Sequence, residues 1–192
     1  MKAVVLALAA LSLQAQSGPA AAAPPPGSPA PGAPVDTKDK LPLLLGPATA
    51  KAILAHRAIF RDNLAKVKLS AKLKGRWQAV HQPFTLVAVF GSWCADSHLQ
   101  LPDLLALDAV PTPFLEIHYL GVNRDKRLEP SAWPAGCPPQ AVVRVPTFYL
   151  FATQPGGSQK LMGTVVENPP RVGQTMAEAL VELLEAAAKA AP

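Results

Sequence analysis

The sequence predicts an α/β domain: a central mixed sheet of four strands flanked by helices, with a helical extension ahead of it. Three observations carry this. Phe84 to Phe90 (FTLVAVF) is a continuous apolar, β-branched run of strand length, the pattern of a strand covered on both faces. Apolar residues at helical spacing lie on either side of it, ending in Thr175 to Ala190, where Met176, Leu180, Leu183 and Leu184 share one face. The elements follow the order β-α-β-connection-β-β-α, which a mixed sheet with helices on both faces and an antiparallel edge hairpin accommodates.

The elements follow in chain order. After Pro47, the positions Ile53, Leu54, Ile59, Phe60, Leu64 and Val67 predict one amphipathic helix. Ser70 caps a second, short helix running through Trp77 and Val80. The strand Phe84 to Phe90 leads through Gly91-Ser92-Trp93-Cys94 into a helix from about Ala95 to Leu107. Phe114 to Val122 is the second strand, and Asn123 to Cys137 a polar, proline-containing connection. Val142 to Ala152 contains the third strand, interrupted at its start by Val145-Pro146-Thr147. The turn Gln154-Pro155-Gly156-Gly157 pairs it with Lys160 to Val166, the fourth.

Composition narrows the function classes. Of 192 residues, 49% are hydrophobic and 22 are proline, which fits one domain plus a proline-rich segment. Two cysteines cannot make a disulfide scaffold, and without a C-x-x-C pair or a Cys/His quartet no zinc finger is expected. No apolar run reaches the roughly 18 residues a bilayer span needs. The net charge of +5 is local: Lys51, Arg57, Arg61, Lys66, Lys68, Lys72, Lys74 and Arg76 face only Asp62 within residues 51–76. That stripe reads as the solvated face of a helix, and no nucleic-acid partner is expected.

Ahead of the domain, Lys2, the apolar run Ala3 to Leu13 and the small residues near Ala15 and Ser17 read as a signal peptide over 1–17. Residues 18–46, rich in proline and alanine, read as a disordered linker, and 47–192 as the folded domain. The expected location is periplasmic or secreted.

Trp93-Cys94-Ala95-Asp96-Ser97 sits where a buried strand ends and a helix begins. The unpaired backbone N–H groups and positive dipole end of a helix N-terminus stabilise an anion, so a thiol placed there favours its thiolate. Ser97, one turn on, is placed to donate its hydroxyl to that sulfur, whereas Asp96 opposes the charge unless it points to solvent. His98 lies four residues from Cys94 on the same helix, but no third ligand accompanies it, so neither a metal nor any other cofactor is expected.

Over Phe84 to Ala187 the chain resembles the thioredoxin superfamily. Trp93-Cys94 follows the central strand as in the W-C-x-x-C motif; Pro102 stands eight residues after Cys94, inside the helix; Val145-Pro146-Thr147 resembles the V/I-P-T segment; and Gly163 falls in the last strand. More narrowly, Gly91 to Ser97, Gly121-Val122-Asn123-Arg124 and Arg144 to Phe148 resemble an exported bacterial group with W-C-x-D-S in the motif. The resemblance implies a thioredoxin-like fold, a cis Pro146 facing Cys94, and a groove lined by Trp93, Val145, Pro146 and Gly163 that holds an extended substrate.

Two departures bear on activity. Ser97 replaces the second motif cysteine, and Ala88 stands where the family carries a buried acid that assists proton transfer. What remains is one-thiol chemistry on a disulfide or oxidised thiol, with Cys94 as nucleophile and Ser97 polarising it. Release needs a second thiol, either an external reductant or Cys137, nine residues before Pro146. The preferred reading of Cys137 is a separate packing or surface role. The expected function is an exported thiol oxidoreductase acting on protein or small-molecule disulfides; the alternative is a non-catalytic module holding clients by mixed disulfide or groove contacts.

Overall fold

The computed structural model describes residues 34–190. The expected signal peptide, and the linker as far as residue 33, lie outside the described residues. The elements are β1 (Gly46–Ala48), α1 (Ala50–His56), α2 (Ala58–Leu64), α3 (Ala71–Gln78), β2 (Phe84–Phe90), α4 (Ala95–Asp108), β3 (Leu115–Gly121), β4 (Thr147–Thr153), β5 (Gln159–Val166) and α5 (Met176–Ala190). They form a mixed sheet of five strands, not four, in the order β1-β3-β2-β4-β5, flanked by helices. β2 and β3 run parallel, and the other neighbours are antiparallel.

The fifth strand is β1, three residues at the edge of the stretch read as linker. Nothing in Gly46-Pro47-Ala48 carries a strand period; it pairs because Gly121 lets its backbone approach. A Cβ on Gly121 would lie 2.0 Å from the Leu44 carbonyl oxygen. Within residues 34–46, Val35 bridges to Pro42 and the Asp36 side chain is buried, so part of the expected linker is ordered against the domain.

The helix expected over Ile53 to Val67 is two. Arg57 is extended (φ −138°, ψ 133°), and its guanidinium bonds Asp39 at 3.0 Å and the Pro42 carbonyl at 3.3 Å. Docking the N-terminal segment thus takes the residue at which a single helix would continue. Ser70 caps α3 by accepting from the Leu73 N–H, as its sequence position predicts.

β2 runs over the predicted residues and every one is buried. Its period of two sorts the core. Phe84, Leu86, Ala88 and Phe90 join Phe148 and Leu150 beneath all five α-helices; Val87 and Val89 join Leu120, Tyr149 and Phe151 on the opposite face. That second face is covered not by a helix but by the connection after β3, whose Trp133 packs edge-on against Tyr149 and Phe151 (centroids 5.4 and 6.4 Å). Helices on both faces were expected; the prolines of residues 123–146 leave room for one 3-10 turn, Pro130–Ala132.

α4 keeps Pro102 in its interior without an orphaned carbonyl. Proline has no N–H for the His98 oxygen four residues earlier, and the Asn63 side-chain amide, from α2, donates to it at 2.8 Å instead. α4 also starts α5: the Asp103 carboxylate accepts from the Ala177 N–H at 2.9 Å, beside a reciprocal Thr175–Glu178 capping box. Among the described residues no helix is long and apolar enough to cross a membrane.

Candidate functional site

Cys94 is the N-cap of α4, directly beyond the C-terminal end of the central strand. The approach is a tight turn: the Cys94 N–H bonds the Gly91 carbonyl at 3.0 Å, and the His98 N–H begins the helix on the Cys94 carbonyl. The His98 ring nitrogen Nε2 lies 2.8 Å from the Ser92 carbonyl while its ring stands edge-on to Phe60, so this histidine braces the turn. Ser92 is buried, and its hydroxyl accepts the Leu44 N–H, tying the turn to the N-terminal segment.

The Cys94 sulfur is half-buried and donates to the Val145 carbonyl at 3.2 Å. The Val145–Pro146 bond is cis, and the Pro146 carbonyl is engaged by the Glu167 N–H at 2.7 Å. Thr147 closes the bend by donating its hydroxyl to the Arg144 carbonyl at 2.7 Å. Cys94, Trp93, Val145 and Pro146 thus come together at one end of the sheet.

The other expected site residues behave differently. Ser97 is fully buried, and its oxygen accepts the Gly91 N–H at 3.2 Å; among the described residues no hydrogen bond joins it to Cys94. Its work is to satisfy the backbone of the turn, which replaces the expected polarisation of the sulfur. Gly163 is mid-strand opposite Leu150, and a Cβ there would lie 2.7 Å from Leu183 of α5; it makes room for the helix, not for a substrate groove.

Cys137 does not reach Cys94. The carbonyl of neighbouring Gly136 accepts from the N–H of Gln159, which pairs with Thr153 at the far end of β4. Thr147, beside the Cys94 end, is six residues away along that strand, roughly 20 Å at the usual rise. The nine residues before Pro146 are spent traversing the sheet face. Cys137 is buried beside Trp133, and burial, with the Glu116 charge adding, pushes its thiol up to about 11. Both cysteines are free.

No family model matches the chain, and no curated protein does. Among solved structures, a protein of unknown function, PA1234, from Pseudomonas aeruginosa is 20% identical with a TM-score of 0.48, covering 75% of this chain and 87% of its own. An HIV epitope-scaffold protein is 18% identical with a TM-score of 0.47, covering 76% and 87%.

Two residues of the site were given no role in the sequence, Asp36 and Arg124, the latter standing only within the Gly121-Val122-Asn123-Arg124 segment. Asp36, fully buried, receives a two-point contact from Arg124, Nε at 2.8 Å and Nη2 at 2.7 Å. The Arg124 guanidinium in turn lies over the Trp93 ring, 4.5 Å from its centroid. The Trp93 N–H donates to the Val122 carbonyl at 2.9 Å, and a Cβ on Gly91 would lie 2.7 Å from the same indole. A signal for Asp36 existed: it is the first charged residue after Lys2.

Proposed function

We propose that the chain is a thioredoxin-like thiol oxidoreductase that reacts through Cys94, exported by the segment before residue 18. One observation carries the reading: a cysteine caps the helix after the central strand with its sulfur 3.2 Å from the Val145 carbonyl, one residue before Pro146. A thiol so placed sits at the positive end of α4 and against the bend before β4, a surface on which a substrate strand can be aligned.

The chemistry follows from one sulfur. Cys94, as thiolate, attacks one sulfur of a disulfide; the Cys94–S bond forms, the S–S bond breaks, and the leaving thiolate takes a proton from water. A second thiol then attacks the mixed disulfide, leaves with the bound half as a new disulfide and restores the Cys94 thiolate. With Ser97 one turn away and Cys137 at the far end of the sheet, that second thiol is external, a low-molecular-weight reductant or a partner protein.

The same placement favours a second reading. A mixed disulfide with no internal exit persists, so the module would hold a client rather than process it. Reduction of hydroxyethyl disulfide, followed with and without added monothiol, separates the two. Turnover that depends on added thiol and disappears in Cys94→Ser supports the enzyme; a single stable adduct per chain, unaffected by thiol, supports the holding module. Absence of both in the folded wild type would overturn the shared premise.

A further inference from the structure

We propose that Arg124 supplies the positive charge that the Cys94 thiolate meets beyond the helix end, and that Asp36 and Trp93 hold it in position. The inference rests on Cys94 being the reacting group. Arg124 follows β3 and is aimed from three directions. Asp36 takes Nε and Nη2 of the guanidinium in a planar fork, the face of the group lies on the Trp93 indole, and that indole is pinned by Val122 on one edge and accommodated by Gly91 on the other. Trp93 is covalently next to Cys94, so whatever fixes the ring fixes the start of the thiol's backbone. The guanidinium stays charged first through its bonds to Asp36, with the Asp36 and Asp39 charges adding to it.

Of the other charged groups around Cys94, one cation is paired and one carboxylate opposes a thiolate. Arg144 precedes Val145 but is engaged by Glu167 at 2.8 Å. On α4, Asp96 is negative and His98 is occupied with the Ser92 carbonyl. Asp36 opposes Arg124, and its removal is therefore informative. A cation held over the ring of the residue before the thiol attracts the developing thiolate and any anionic reagent that approaches it.

The test uses the full chain in a Cys137→Ser background and reads alkylation of Cys94 against pH. Arg124→Gln is expected to raise the midpoint of the iodoacetamide profile by about half a unit or more, and Arg124→Lys to restore part of the difference. Asp36→Asn leaves the guanidinium charged and keeps one acceptor for it, so its midpoint stays at the wild-type value or falls. Equal upward shifts in Arg124→Gln and Asp36→Asn, or none in the folded Arg124→Gln, overturn the inference.

A wild-type measurement covers the case in which Arg124→Gln does not fold. The ratio of iodoacetate to iodoacetamide rates on Cys94 is expected to exceed that of N-acetylcysteine at low salt and to fall as salt rises; a ratio at or below the free thiol overturns the inference. If Cys94 is not alkylated at all in the folded protein, it is the reading of Cys94 as the reacting group that fails.

Discussion

The sulfur of Cys94 lies 3.2 Å from the carbonyl oxygen of Val145, a residue 51 positions further along the chain. The contact joins the end of β2 to the start of β4, strands that are hydrogen-bonded neighbours from Phe84 to Val89. The register therefore delivers the loop before Thr147 to the helix cap, where the thiol engages the carbonyl.

Cys94 is expected to alkylate at least about tenfold faster than Cys137 at neutral pH, because Cys137 is buried with its thiol pushed up to about 11 while Cys94 is partly open. Peptide mass spectrometry after timed iodoacetamide exposure checks this, and comparable labelling of the two in the native state would contradict it.

Ser97→Cys is expected to give a mixed disulfide at Cys94 an internal exit. It sets a second sulfur one helical turn from Cys94, at the cost of the acceptor that holds the Gly91 N–H, a loss of about 1 kcal/mol in stability. Without added thiol, Ser97→Cys should release both halves of one equivalent of disulfide and end as an intramolecular disulfide, whereas wild type keeps one half bound to Cys94; with a dithiol reductant supplied, the variant should turn over faster than wild type, with a slightly lower denaturation midpoint. Cys137→Ser should leave wild-type turnover unchanged, given its place at the other end of the sheet.

Gly121→Ala is expected to destabilise the protein by about 2–4 kcal/mol, since the new methyl meets the Leu44 backbone at 2.0 Å and can be accommodated only by parting β1 from β3. Urea denaturation reads this directly; a change below about 0.5 kcal/mol would show that the edge strand contributes little.

Acid should weaken the fold through specific carboxylates. Arg124 beside Asp36, the Leu41 N–H and Arg57 beside Asp39, Arg171 beside Glu182 and Arg76 beside Glu185 hold all four below their ordinary values. A carboxylate lower in the folded than the unfolded chain contributes stability that is fully present above its unfolded value and is lost as pH falls through the folded one. These four should thus withdraw stability steeply as pH falls below about 4, and thermal melts of Asp36→Asn should show a shallower acid decline than wild type.

Much of this was legible in the chain because it depends on local periodicity. The apolar run Phe84 to Phe90 announces β2, Ser70 announces a cap, and Trp93-Cys94 after a buried strand announces where the thiol sits. What escaped depends on long-range pairing. β1 has no strand pattern of its own and exists because Gly121 is bare; Arg57 breaks a helix because Asp39 and Pro42 engage its guanidinium. The eight residues between Cys137 and Pro146 look short in sequence, yet they run the length of a strand. The Asp36–Arg124 pair spans 88 positions and has no spacing to betray it.

The measurement that bears most directly on Cys94 as the reactive centre is the mapped adduct of the folded, fully reduced chain with one small aromatic disulfide. The account predicts one equivalent attached to Cys94, released by added thiol and absent from Cys94→Ser. Modification of Cys137 first, or no adduct until the protein is denatured, would contradict it.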